Sequence, residues 1–379
     1  MTEDSVSAPP NLGSNLLAAA RTHEKRRPLP AGSGSALIDE NALDGGFRYG
    51  EITSIAGKTG TGKTLMTYHA IASHLITSEG GEVALIDTTG SFSPLRLRDV
   101  LAFRLEARRQ RDNYRHSGYM YESNQSKEAG ESDELSDQAT SMLDRVKVMR
   151  VFDFAGVVEA VGEVREMIEQ SYLSAEKSEH ARAARKHEIQ DSEEELDDDN
   201  DDDDNEEGEP SRKAALNLQE PAVRGIGMII VDTIANVVNS VMSKSQVQGQ
   251  ALLASFMRSF QYLVARSHIC AILVNAVVGV NSTKNSDYRT YADEHASVFS
   301  STLGKPALGK SFSYTIDTSI LMSVVPKTSA DATIEMGDRP GLPYEKALVI
   351  EILKDRYGAR EGRWVAFQID GGIKLVPCP

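Results

Sequence analysis

The residues whose types and spacing most plainly fit a chemistry lie between Gly57 and Thr64. Gly57-Lys58-Thr59-Gly60-Thr61-Gly62-Lys63-Thr64 satisfies G-x-x-x-x-G-K-[ST] at Gly57, Gly62, Lys63 and Thr64. Glycines let such a loop curl until several backbone N–H groups point inward at phosphate oxygens, and the positive end of the following helix adds to the same field. Lys63 then offers a cation to the β- and γ-phosphates, and the Thr64 hydroxyl offers a ligand to magnesium. A pattern that fixes four positions also occurs by chance. Here it sits between a β-branched run, Ile52 to Ala56, and an amphipathic stretch from Lys63 to Ile76, the strand–loop–helix context that the chemistry needs. The expected ligands are ATP and Mg2+.

A phosphate loop of this kind needs a second acid to orient the metal, placed at the end of a buried strand nearby. Gly227-Met-Ile-Ile-Val-Asp232 supplies one: an aspartate after four apolar residues emerges at the carboxyl edge of a sheet, the edge that also carries the loop. The expected metal ligands are therefore Thr64 and Asp232. Asp is also a preferred helix N-cap, so Asp232 as the cap of the next helix is the competing reading.

The elements that must position these groups alternate in type. Candidate strands are Ile52 to Ala56, Val83 to Asp87, Val146 to Val151, Met228 to Asp232 and Ile269 to Asn275; the intervening helices are Lys63 to Ile76, Pro94 to Arg109, Ala155 to Tyr172 and Gln248 to Arg266. Short strands separated by long helices imply an α/β fold with a mostly parallel sheet covered on both faces. After Asn275 the pattern changes to shorter runs, Thr318 to Val325, Ala347 to Lys354 and Trp364 to Ile369, which read as an antiparallel C-terminal extension. Residues 1–34, rich in Ser, Ala, Pro and Gly, read as a flexible N-terminal arm, and 35–379 as the nucleotide-binding core. Two polar segments, 110–140 and 175–222, read as disordered insertions, the first with partial helix.

Composition narrows the function classes. No apolar run approaches the roughly 20 residues of a membrane-spanning helix, so no membrane association is expected. The first ten residues lack the pattern of a secretory or organelle signal, which implies residence in the cytosol or nucleus. Two cysteines, Cys270 and Cys378, make neither a disulfide framework nor metal-ligand spacing. The net charge of −15 looks hostile to nucleic acid, but 14 acidic residues and no basic ones fall between Asp191 and Glu209. Outside that run, which reads as a solvated, self-repelling insertion or as a competitor for basic loops, the chain is within one charge of neutral.

Further motifs then follow in order: Leu85-Ile-Asp-Thr-Thr-Gly-Ser-Phe92 with Arg96-Leu-Arg98, Met228-Ile-Ile-Val-Asp-Thr233, Leu273-Val-Asn275, and Gly304-Lys-Pro-Ala-Leu-Gly-Lys-Ser-Phe-Ser313. In type and sequence they resemble the RecA-type recombinases of eukaryotes and archaea. The Lys305 to Lys310 segment with Phe312, and Val151-Phe-Asp-Phe154, resemble the D-type paralogue of the eukaryotic recombinase more than the recombinase itself. The resemblance covers about Ser35 to Gly371 apart from the insertions and implies a RecA-like core. It also implies a nuclear role in homologous recombination and repair of double-strand breaks, and hetero-oligomers with other paralogues and the main recombinase on single-stranded DNA.

Two departures bear on chemistry. The glutamate that activates water in active relatives is here Thr89, and the glutamine that senses the γ-phosphate is Ala276. A hydroxyl cannot act as a carboxylate general base near neutral pH, so nucleotide binding with weak, DNA-dependent hydrolysis is expected. The alternative is an autonomous DNA-dependent ATPase that exchanges strands. The small domain that precedes the core in this family, and helps members dock on a neighbour, has little room before Gly34.

By the same resemblance, single-stranded DNA meets two loops, Ala235 to Gly249 and Val277 to Lys310. Lys244 in the first, and Lys284, Arg289, Lys305 and Lys310 with Tyr288 and Tyr291 in the second, meet the need for positive charge and stacking surfaces. Ordinary solvated loop charges are the bland reading of the same residues, and Lys305 and Lys310 equally suit contact with a neighbour's γ-phosphate. Lys354-Asp-Arg-Tyr-Gly-Ala-Arg360, with Arg363, is either a solvated basic turn or a contact for DNA or a partner.

Overall fold

The computed structural model describes residues 13–14, 28–117, 128–193, 225–279, 297–299, 302, 304–336 and 345–378, with side chains throughout except at 114–117, 128–133 and 175–193. Eleven strands are present among them: β1 (Ile52–Gly57), β2 (Gly81–Asp87), β3 (Val146–Arg150), β4 (Gly225–Asp232), β5 (Cys270–Asn275), β6 (Val277–Gly279), β7 (Gly304–Pro306), β8 (Thr318–Pro326), β9 (Lys346–Asp355), β10 (Trp364–Asp370) and β11 (Lys374–Pro377). The helices are α1 (Lys63–Thr77), α2 (Pro94–Ser117), α3 (Glu128–Leu143), α4 (Phe154–Glu193), α5 (Ile234–Met242), α6 (Gln246–Ser267), α7 (Gly309–Thr315) and α8 (Ser329–Met336).

Nine strands form one sheet in the order β11-β10-β9-β8-β1-β5-β4-β2-β3. Pairings among β8, β1, β5, β4, β2 and β3 are parallel, and β9, β10 and β11 add antiparallel to the β8 edge. The expected architecture is thus the observed one. Alternation at period two splits the strand side chains between two cores. Ile55, Leu85, Ile230 and Ile272 pack with Leu65 and Ile71 of α1 and Leu97 and Leu101 of α2. Ile86, Val231 and Leu273 pack on the other face with Val157 and Val164 of α4 and Met257 and Phe260 of α6. Because both faces are covered, the central strands read as unbroken apolar runs rather than half-polar ones.

Three boundaries differ from the sequence reading. The arm does not extend to residue 34: Ala31 pairs with Phe47, the Gly32 N–H donates to Ser73 Oγ at 2.8 Å, and the Ser33 N–H donates to Asp39 at 2.8 Å. Small residues that look flexible in composition serve here for close approach to α1. The described parts of 110–140 are helical rather than disordered, because α2 runs on to Ser117 and Ala139 of α3 is buried against the first core. Likewise α4 continues to Glu193, into the expected 175–222 insertion, whose remainder lies outside the described residues. The strand β11 went unread, being four residues with only Leu375 buried. No helix among the described residues is long and apolar enough to cross a membrane.

Candidate nucleotide-binding site and its nucleic-acid loops

The candidate phosphate-binding loop hangs between the end of β1 and the start of α1. At Gly57 there is no room for a side chain: a Cβ would lie 2.6 Å from Thr61 Oγ1 and 2.7 Å from the Met322 carbonyl of β8. Gly62, at φ 91°, opens α1 in a conformation that other residues rarely adopt. Between them Lys58, Thr59 and Gly60 are exposed, while Thr61 is buried with its hydroxyl donating to the Lys58 carbonyl at 2.9 Å. The loop's shape is held by β8 and by its own hydrogen bonds.

Lys63 folds back across this loop, its Nζ donating to the Gly57 and Lys58 carbonyls at 2.8 and 2.9 Å. Burial lowers its pKa, a shift that the Asp232 carboxylate partly opposes. Thr64 Oγ1 donates to Asp232 Oδ2 at 2.9 Å, although 168 residues separate the two in sequence. Asp232 is nearly buried at the end of β4, and burial raises its pKa against the Thr64 bond and the Lys63 charge. It does not cap α5, whose N-cap residue is Thr233.

This donor set fits a metal-bound polyphosphate. A loop too narrow for a Cβ at its entrance, a desolvated ammonium, and a hydroxyl–carboxylate pair whose charge is costly as it stands would all gain from a phosphate and a divalent cation. Lys63 would hold the β- and γ-phosphates, and Thr64 and Asp232 the metal.

The turn after β2 differs. Asp87 Oδ1 accepts the N–H groups of Thr89, Gly90 and Ser91 at 3.1, 2.8 and 3.3 Å, and Oδ2 accepts that of Phe92 at 3.1 Å. Burial alone would raise the Asp87 pKa, but the amides of Phe92, Thr89, Ser91 and Gly90 together hold it below the ordinary carboxyl value. The Tyr68 hydroxyl accepts the Ser93 N–H at 2.9 Å and extends the anchorage to α1. Thr89 Oγ1 is spent within the turn, donating to Asp87 Oδ1 at 3.2 Å and bonding Ser91 Oγ at 2.7 Å. Asp87 escaped the sequence reading; an aspartate two residues before Thr-Gly is the signal for such an anchored turn.

At the end of β5, Asn275 Nδ2 donates to the Ala307 carbonyl at 3.1 Å and its Oδ1 accepts the Ala276 N–H at 2.8 Å. The Ala307 N–H returns to the Ala276 carbonyl at 2.9 Å. Of the candidate DNA contacts, Lys244 follows α5, Lys305 lies on β7 and Lys310 opens α7, all three exposed. Lys284, Arg289, Tyr288 and Tyr291 lie outside the described residues.

The late basic turn is mostly structural. Lys354 Nζ donates to the carbonyls of Ser313 and Ile316 at 2.6 and 2.7 Å, closing the C-terminal end of α7. Arg356 donates to Asp317 Oδ1 at 2.7 Å and to the Tyr314 carbonyl. Arg360 is buried against Asp355. Three of the four cations of that turn are therefore committed inside the fold.

The family model described as Rad51 matches residues 25–174. A curated relative, a probable DNA repair protein RAD51 homolog 4 of Dictyostelium discoideum, is 23% identical over 255 residues, covering 67% of this chain and 59% of that protein. The chain thus spans less than two thirds of that relative. The crystal structure of the RadB recombinase superposes with a TM-score of 0.50 at 16% identity, over 92% of this chain and all of RadB. The chain has the Rad51/RadB recombinase fold, and its residues 25–174 are similar to the Rad51 family model.

Proposed function

We propose that this protein is a recombinase paralogue of the D type that binds ATP with Mg2+ and acts as a nucleotide-gated assembly factor. It joins other paralogues and the main recombinase in the nucleus, binds single-stranded DNA, and promotes recombinase filaments in homologous recombination and double-strand break repair. The observation that carries this reading is the convergence of Lys63, Thr64 and Asp232 on one loop while the neighbouring turn holds Thr89 where an acid would activate water. Threonine at the place where this reading expects the general base supports slow hydrolysis over an autonomous strand-exchange ATPase.

Two measurements test it. Lys63→Ala should remove measurable Mg-ATP binding, and persistence of binding would sink the nucleotide reading. Purified protein with ATP and single-stranded DNA should associate with a second paralogue rather than polymerise alone; long regular homofilaments would establish the autonomous recombinase instead.

A further inference from the structure

The chain between β6 and β7 leaves at Val277–Gly279 and returns at Gly304–Pro306, and these two bases pair antiparallel with Val278 opposite Lys305. Part-way along, Ser297–Phe299 are fastened to the sheet at a third place. Glu351, fully buried in the middle of β9, accepts the Ser297 hydroxyl on one oxygen and the Val298 N–H on the other, both at 2.6 Å. The Phe299 N–H donates to Ser297 Oγ at 3.1 Å, and the Phe299 ring meets Trp364 of β10 edge-on, with centroids 5.0 Å apart. Phe299 also packs on the small cluster of Val325, Ala347 and Val349.

Strand propensity gives no reason for an acid at position 351, where the flanking Ile350 and Ile352 are buried and apolar. A buried carboxyl is costly unless its oxygens are satisfied. Here the loop satisfies both. The strand register also gives the attachment an address: Glu351 stands opposite Leu321 of β8, and Leu321 stands opposite Ala56 of β1, the residue before Gly57. Val277, at the other base of the loop, packs on Ala56, Leu321 and Leu353.

We propose that Glu351 is a positioning residue that clips Ser297–Phe299 to the sheet. The clip fixes the loop bearing the candidate single-strand contact Lys305 on the same row of the sheet as the start of the phosphate loop. Its consequence for nucleic acid rests on the function proposed above; the clip itself does not.

Trp364 is the chain's single tryptophan, so its fluorescence reports on the clip directly. Glu351→Leu fills the site without an acceptor, and it should red-shift the Trp364 emission and raise its quenching by acrylamide. Glu351→Gln, which keeps one acceptor, should fall between. Affinity for a fluorescent thymidine 30-mer should drop about fivefold in the leucine variant, the loss of roughly one good hydrogen bond's worth of preorganisation, while Mg-ATP affinity stays within about twofold. Should Glu351→Leu not fold, Ser297→Ala removes the Oγ bond to Glu351 and the acceptor of the Phe299 N–H without touching the sheet, and should move the same readouts less because the Val298 N–H still meets Glu351. Unchanged Trp364 quenching overturns the clip. Raised quenching with unchanged affinity for the 30-mer overturns the positioning role. A wild-type protein that ignores the 30-mer sinks the DNA reading instead, and Trp364 then decides the clip alone.

Discussion

Arg360 decides whether the late basic turn grips nucleic acid or holds the protein together. Its Nε and Nη2 donate to the two Asp355 oxygens at 2.7 and 2.8 Å, Nη1 donates to the Leu43 carbonyl at 2.9 Å, and Nη2 also to Thr318 Oγ1 at 2.9 Å. One guanidinium thus ties the segment before β1 to β8 and β9. Arg360→Met keeps much of the volume but strips buried Asp355 of its guanidinium and leaves it the residue-360 backbone N–H at 3.1 Å in place of a charged partner, a change that costs about 3 kcal/mol. With a urea slope of roughly 3 kcal/mol per molar, the unfolding midpoint should fall by about 1 M. Adding Asp355→Leu removes the orphaned charge and should recover most of the loss. The Asp355 carboxyl is held below its ordinary value, first by the Arg360 side-chain bond. Its stabilisation is therefore present above the ordinary carboxyl range and disappears as pH falls through the lower folded value, so wild type and Arg360→Met should converge in acid. Urea melts at pH 7 and pH 3 measure both effects. A variant with an unchanged midpoint but lost affinity for single-stranded DNA would refute the structural role.

Two further substitutions test the proposed nucleotide site. Thr89→Glu restores a carboxylate in a turn that Asp87 already holds, and DNA-stimulated ATP turnover should rise about tenfold or more, toward the range typical of general bases. Flat turnover would show that something other than the missing acid limits hydrolysis. Asp232→Asn should lose Mg-dependent nucleotide affinity without losing stability. Because burial raises the Asp232 pKa, the folded state binds its proton more tightly than the unfolded state does, so ionisation costs stability as pH rises above the ordinary carboxyl range. Asparagine avoids that cost, and urea midpoints of the ligand-free variant should match or exceed wild type at pH 8; a large drop would contradict the assignment.

What was legible in the sequence was what repeats at short range. The apolar runs of β1, β2, β4 and β5 and the helical period of α1 and α6 announce themselves because burial on two faces leaves few polar positions. The glycine-rich loop between β1 and α1 was equally plain, since its backbone geometry demands particular residues at particular places. Long-range polar bonds were not. Lys354, Arg356 and Arg360 read as a solvated basic turn because the carbonyls and carboxylates that absorb them come from Leu43, Ser313, Tyr314, Ile316 and Asp317, as well as from the local Asp355. Glu351 gave no signal either, since an acid within an apolar strand is informative only once Ser297 is known to lie over it. Residues 28–34 misled in the opposite direction, as glycine and serine serve close packing and flexible chain alike.

On the proposed function, the turn after β2 accounts for nucleotide binding with slow hydrolysis. Its shape depends on Asp87, which accepts four consecutive amides, and on Tyr68, which takes the next. Nothing in that anchorage needs a carboxylate at residue 89, so threonine there leaves the turn intact. The two carboxylates that β2 and β4 bring to this edge stand opposite each other in register, Asp87 against Asp232. Asp87 is bonded to the amides of the turn and Asp232 to the Thr64 hydroxyl. On the proposed reading, Lys63, Thr64 and Asp232 hold the ligand while the turn beside them is kept in shape without an acid at residue 89. The same reasoning explains why restoring an acid at 89 should change rate and leave binding nearly untouched.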